Sequence, residues 1–267
     1  MREAWPFLHR GQPRHGAYRL GLTRVDLTTL LAPDPASAAR LRHRQAQLKT
    51  RRHQCFAAPA SLDAPFLALR RALPTPLHRA DDLRALSTGL CDDLCFLDED
   101  QRLRGGVLTA PSGWRLDDRL GQSLARLHEP VPGLWPTLGN AMTRVLDRLE
   151  PGQAFMRRNW FFYDAMDWWR AEGPALRPAF LRLPPEDQAQ RLVLRWERQG
   201  LFRPRGSRWT MFFIRVHHRP LRDLAGTAAA AAFKAVLERL SADEQASRRV
   251  SLVAPALRAL LAPGTEA

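Results

Sequence analysis

A chain of 267 residues, 45% hydrophobic and 25% charged, is long enough to bury a substantial core in one large domain or two small ones. Its formal charge of +14 invites a nucleic-acid reading, but only Lys49 and Lys234 of the 41 basic residues are lysines. The arginines are scattered apart from Arg40–Arg44 and Arg51–Arg52, so no nucleic-acid partner is expected and the basic surface suits an acidic protein instead.

No run approaches the ~20 apolar residues of a membrane span, and Met1–Pro6 lacks the apolar core of a signal peptide. Cys55, Cys91 and Cys95 cannot build a disulfide framework, a zinc site or an iron–sulfur site, and read as buried thiols. A cytoplasmic protein without a membrane partner is expected.

Residues 1–35 are punctuated by Pro6, Gly11, Pro13, Gly16, Pro33 and Pro35 and are expected to be irregular, with Val25–Leu31 packing on the core. Asp34-Pro35 opens a helix to about Gln54. Further helices are expected over Leu62–Leu73 and Ala80–Cys91. Leu94–Leu97 and Arg104–Ala110 read as strands around an acidic turn.

Pro111–Pro132 organises the next stretch. Leu116, Leu120, Leu124 and Leu127 fall at helical spacing, so one amphipathic helix with one buried stripe is expected. Pro130 ends it near His128, and Pro130-Val-Pro132 stiffens the exit. An imidazole held there beside apolar surface is either a metal or haem ligand or a contact that stabilises the helix C-terminus.

Trp135–Leu149 reads as a helix and Phe155–Tyr163 as a strand rich in aromatics. A short helix is expected over Asp164–Glu172, bearing Trp168 and Trp169. Prolines 174–185 mark a connection. Leu192–Phe202 and Trp209–His217 form the clearest hairpin. A helix from Ala228 to about Leu240 and a short one over Pro255–Leu261 close the chain, with fraying last residues.

Helices, then strands interrupted by helices, then helices again argue an α+β class with one helix-covered antiparallel sheet. Within the hairpin, Glu197 and Gln199 share one strand face and Arg198 takes the other. Charges there need either an edge strand with a solvated face or a pocket wall, where Arg198 or Arg195 meets an anionic group such as a propionate. His217 and His218 point to opposite faces and read as surface or edge residues. No nucleophile elbow, phosphate loop or dinucleotide fingerprint is present.

Several stretches together resemble the haem-dependent oxidative N-demethylase family. They are Asp93-Leu94 with Leu97; Pro111-Ser112-x-Trp114; Leu120-Gly121; Leu127-His128-x-Pro130-Val131-Pro132-Gly133; Arg158-Asn159-Trp160; and Glu197-Arg198-Gln199 followed by Leu201, Phe212, Ile214-Arg215 and Pro220. The resemblance implies a PAS-like antiparallel sheet with flanking helices over residues 91–224. A helical N-terminal region (1–90) and C-terminal helices (225–267) extend it.

It further implies non-covalent haem b and oxidative removal of a methyl group from a small secondary amine with O₂. Electrons would come from partner reductase subunits carrying flavin and an iron–sulfur cluster. The implied iron ligand is His128, with Trp114, Asn159, Arg198 and Gln199 around the cofactor. Glu197, Trp160 and Tyr163 are the catalytic candidates, and aromatic faces or a carboxylate suit an amine cation. A PAS-like haem or small-ligand module without turnover is the alternative. The sequence departs from the family after Glu197-Arg198-Gln199, at His217-His218 and at the C-terminus, which leaves the substrate open.

Overall fold

The computed structural model describes residues 5–8 and 20–262; the expectations for Gly11, Pro13, Gly16 and the last five residues lie outside them. Its centre is a seven-stranded, fully antiparallel sheet. The early elements are β1 (Thr23–Val25), α1 (Leu27–Leu31), α2 (Ser37–Thr50), α3 (Arg52–Cys55), β2 (Phe56–Ala57), α4 (Asp63–Ala72) and α5 (Leu83–Gly89). Then come β3 (Asp93–Leu97), β4 (Leu103–Val107), α6 (Leu116–Arg119), α7 (Leu124–His128), α8 (Leu134–Arg148) and β5 (Ala154–Tyr163). The chain ends with α9 (Pro178–Leu181), α10 (Pro185–Arg191), β6 (Val193–Phe202), β7 (Thr210–Pro220), α11 (Ala228–Glu238), α12 (Ala242–Arg248) and α13 (Val250–Leu261).

The strand order is β1-β5-β6-β7-β3-β4-β2. The two outer strands come from the first 57 residues and the inner five from 93–220. Gly106 permits the closest approach within the β3–β4 hairpin. Its φ is +149, and a Cβ there would meet the Leu94 carbonyl oxygen at 2.0 Å.

Alternation sorts the two faces of the sheet. Even-numbered β6 residues and odd-numbered β7 residues share one face, packed by α1, α4 and α5 at one end and α10, α11 and α13 at the other. Trp160, Phe162, Leu194 and Trp196 fill the second of these cores; Leu94, Phe96, Phe202 and Phe213 fill the first. Between them lies a charged layer. Arg215 bridges the Asp92 carboxylate with two hydrogen bonds, and both side chains are fully buried. Arg40 grips Asp34 at 2.7 and 2.8 Å, and Arg198 donates to the Leu30 carbonyl at 2.8 Å. The other face carries Cys95, Leu97, Leu201, Ile214 and Val216 under α6, α7 and α8.

Four expectations are corrected. The helix over 116–128 is two short helices, because Leu120 leaves helical geometry and Gly121 turns at φ +76. Leu120 therefore leaves the stripe and is 40% exposed. Residues 164–172 form no helix; Arg170 reaches back to the Pro174 and Ala175 carbonyls instead. The last helix starts at Val250 and carries Pro255 inside it. Finally, β6 and β7 are interior strands, so Glu197–Gln199 is no edge and His217 is buried.

Candidate functional site

Asp93, at the start of β3, accepts hydrogen bonds from the Thr109 backbone (2.9 Å), the Thr109 hydroxyl (2.8 Å), the Ala110 backbone (2.8 Å) and Arg44 (2.9 Å). Arg195, fully buried on β6, donates to the carbonyls of Ala110 (2.9 Å), Pro111 (2.8 Å) and Asp167 (2.9 Å). Between them they clamp the chain leaving β4, and Ser112 is delivered to Glu197 at 2.6 Å.

Below this clamp lies a cavity of about 620 Å³, within the range of cofactor and ligand pockets. Its walls are predominantly apolar: Leu97, Leu103, Leu124, Leu127, Leu201 and Ile214 contribute among others. Of the sequence-predicted residues, Trp114, His128, Asn159, Glu197 and Gln199 line it. Glu197 accepts from Ser112 Oγ, from Gln199 Nε2 at 2.7 Å and from Asn159 Nδ2 at 3.4 Å. A carboxylate offers about four acceptor positions, so one is left for a ligand.

His128 Nδ1 lies 2.8 Å from the Leu124 carbonyl oxygen. A carbonyl only accepts, so Nδ1 carries the proton and Nε2 holds the lone pair. Burial, ahead of every other influence, holds the imidazole below its usual pKa; nearby Arg157 adds to this, while the Leu124 carbonyl and Glu197 oppose it. The ring faces Trp135 at 6.4 Å.

Trp160, Tyr163 and Arg198 lie outside the lining. Trp160 and Arg198 occupy even positions of β5 and β6, which turn to the opposite face: Trp160 packs on Phe162 and Phe233, and Arg198 reaches Leu30. Tyr163 sits at the far end of β5 beneath the guanidinium groups of Arg170 (5.4 Å) and Arg195 (5.0 Å). Trp168 packs against His43 and His218, and Trp169 against Arg51. His217 Nδ1 accepts from Arg40 at 3.1 Å, and His218 Nε2 accepts from Arg195 at 2.8 Å; neither lines the cavity.

Sequence reasoning missed Leu20–Thr23, Arg119, Arg157 and the α12 residues Glu244, Ser247 and Arg248, all on the cavity wall. One signal was available. Ser241-x-x-Glu244 is a capping box, and both of its reciprocal bonds form, so α12 itself was legible. Its packing beside β5 was not.

The cavity meets the physical requirements of haem. It is roomy and apolar, it offers an imidazole with its Nε2 lone pair free of the Nδ1 bond, and it carries arginines able to meet carboxylates. Cys95 also lines it, but burial raises its pKa and keeps the sulfur a neutral thiol. Fold and site together define an α+β protein built around one ligand-sized cavity. The family model described as "Haem-dependent oxidative N-demethylase, alpha subunit-like" matches residues 65–257, more than two thirds of the chain. The chain belongs to this family, whose description names haem, an oxidative demethylation and one subunit of a larger assembly. No curated protein matches it. No described helix is long and apolar enough to cross a membrane.

Proposed function

We propose that this chain is the haem-binding subunit of a cytoplasmic oxidative N-demethylase, acting on a small secondary amine. One observation carries the reading. Residues that bear the family resemblance but lie far apart in sequence converge on a single cavity: Pro111, Ser112, Trp114, Leu127, His128, Pro130, Val131, Asn159, Glu197 and Gln199. The inner strand order β4-β3-β7-β6-β5, a hairpin whose first strand returns to pair with the last, supports a PAS-like core over 91–224. The described parts of residues 1–90 and 225–267 then act as extensions around it.

Bound non-covalently, haem b would supply O₂ activation and one-electron chemistry. His128 would hold the iron through Nε2, and the Leu124 carbonyl orients the ring and raises its basicity. Trp114 and the leucines exclude water. A secondary amine is a cation in water, and Glu197 takes its N–H in the acceptor position left open by Ser112, Gln199 and Asn159. The methyl group then rests on the apolar wall. Trp160 and Tyr163 retain packing roles. Overall, one oxygen atom of O₂ would leave with the methyl carbon as formaldehyde and the other as water, with two electrons and two protons supplied from outside. We assign those electrons to reductase partner subunits carrying flavin and an iron–sulfur cluster, drawn by the basic surface.

The test supplies haem to the purified chain and adds a flavin and iron–sulfur reductase, NAD(P)H and dimethylamine. A Soret band with amine-dependent formaldehyde release is expected. Haem binding without formaldehyde from any small secondary amine leaves the non-turnover module as the correct reading.

A further inference from the structure

Arg195 and Glu197 are both buried and stand two residues apart on β6, so their side chains share one face of the sheet. The Ser112 hydroxyl stands between them. Arg195 Nε donates to Ser112 Oγ at 3.1 Å, and Ser112 Oγ donates to Glu197 Oε1 at 2.6 Å. A guanidinium only donates and a hydroxyl has a single proton, so Arg195 dictates that the Ser112 proton points at Glu197.

Both ends of this bridge are pinned. Arg195 Nη1 donates to the Asp167 carbonyl and to His218 Nε2, and Nη2 to the carbonyls of Ala110, Pro111 and Trp168. Burial lowers the Arg195 pKa, while Tyr163 and Glu197 oppose that fall. The backbone around Ser112 is fixed as well, since the Gly113 N–H donates to the Arg170 carbonyl at 2.7 Å. At the other end Gln199 Nε2 and Asn159 Nδ2 hold Glu197 Oε2 at 2.7 and 3.4 Å.

A hydroxyl placed between the two charges has a chemical consequence. Where Arg215 meets Asp92 directly, the guanidinium fork takes both carboxylate oxygens and the pair holds the fold. Here the serine takes one acceptor position, and the carboxylate keeps another on the cavity wall. A buried anion beside apolar surface is costly without a countercharge. Arg195 offsets that cost through the hydroxyl without occupying the place a ligand would need.

We propose that Ser112 is a positioning residue for the amine: backed by Arg195, its hydroxyl fixes the Glu197 carboxylate in the orientation that receives the ammonium N–H. This rests on the reading in which Glu197 takes a secondary amine. Arg195 is thereby committed to this bridge and to carbonyls, and Arg198 to Leu30, in place of the propionate that the sequence suggested for either.

The experiment titrates the haem-loaded full chain with dimethylamine and follows the amine-induced shift of the haem spectrum. Wild type, Ser112→Ala, Glu197→Gln and the double variant are compared at equal haem loading. Ser112→Ala is expected to bind dimethylamine about ten-fold more weakly, the scale of one charge-assisted contact. The double variant should bind as Glu197→Gln alone does, because the hydroxyl acts only through the carboxylate; a purely structural serine would add its own loss. Ser112→Thr against Ser112→Val separates hydroxyl from shape: the threonine variant should keep most of the affinity and the valine variant lose as much as the alanine one. Circular dichroism melts establish which variants fold, and the threonine–valine pair decides if Ser112→Ala does not. Full affinity in Ser112→Ala, additive losses in the double variant, or equal affinity of the threonine and valine variants overturns this inference and leaves Glu197 as the amine site. Unchanged dimethylamine affinity in Glu197→Gln, or failure of the wild type to bind haem, overturns the underlying reading as well.

Discussion

Two groups of buried arginine in this fold have different surroundings. On the closed face Arg215, Arg198 and Arg40 are buried among Asp92, Asp34 and backbone carbonyls, and tie α1 and α2 to β6 and β7. On the cavity face Arg157 has a buried Nε without a partner, beside a carboxylate that neutral donors already occupy. Composition cannot separate these roles, because arginine supplies nearly all the positive charge of the chain. What separates them is the partner: the first group is met by protein carboxylates and carbonyls and holds the fold, whereas Arg157 lies beside a carboxylate that neutral donors already occupy.

The largest expected effect breaks the closed face. Asp92→Ala strands the fully buried Arg215, and a loss of about 3–5 kcal/mol is expected in urea unfolding. Arg157→Gln, by contrast, removes a cation that burial disfavours, so stability should hold or rise. An equal loss from both variants erases the distinction between the two groups.

A middle-sized effect concerns the ligand. Glu197→Gln removes the negative charge while keeping the volume. About ten-fold weaker amine binding is expected from the loss of a charge-assisted contact, read as the amine-induced shift of the haem spectrum. The spectrum without amine should not change. An unaltered amine affinity places the amine elsewhere.

A further effect is one of pH. Burial is the leading cause that holds His43, His128 and His218 below their usual pKa. As pH drops beneath about 6.5, the unfolded chain takes up protons that the fold refuses, so stability falls. The slope reaches at most about 1.4 kcal/mol per pH unit for each histidine. Chemical denaturation from pH 7.5 to 5 checks the direction; stability that rises on acidification contradicts it.

Much of this architecture was legible in the sequence. Alternation and aromatic content located β5, β6 and β7 to within a few residues, and Asp93, Ser112 and Glu197 stood within the family-like motifs. β1 and β2 were not legible, because three- and two-residue strands carry no period. The break at Gly121 hid behind leucines whose spacing suits a continuous helix. Within the site, alternation placed Glu197 and Gln199 on one face, but which face held the cavity depended on helices far away in sequence. For the same reason Trp160 and Arg198 were grouped with the site although their parity turns them away. The contribution of α12 required tertiary packing that no local pattern encodes.

The central claim is that His128 holds the haem iron, and spectra of the wild type and His128→Ala at equal haem loading test it most directly. The variant gives up one hydrogen bond to the Leu124 carbonyl, so about 0.5–1.5 kcal/mol of stability should be lost and the fold kept. The account predicts weakened haem retention and a shifted ferric Soret maximum, with imidazole added to the buffer restoring the wild-type band. An unchanged Soret maximum with full haem retention contradicts it and means that another group holds the iron.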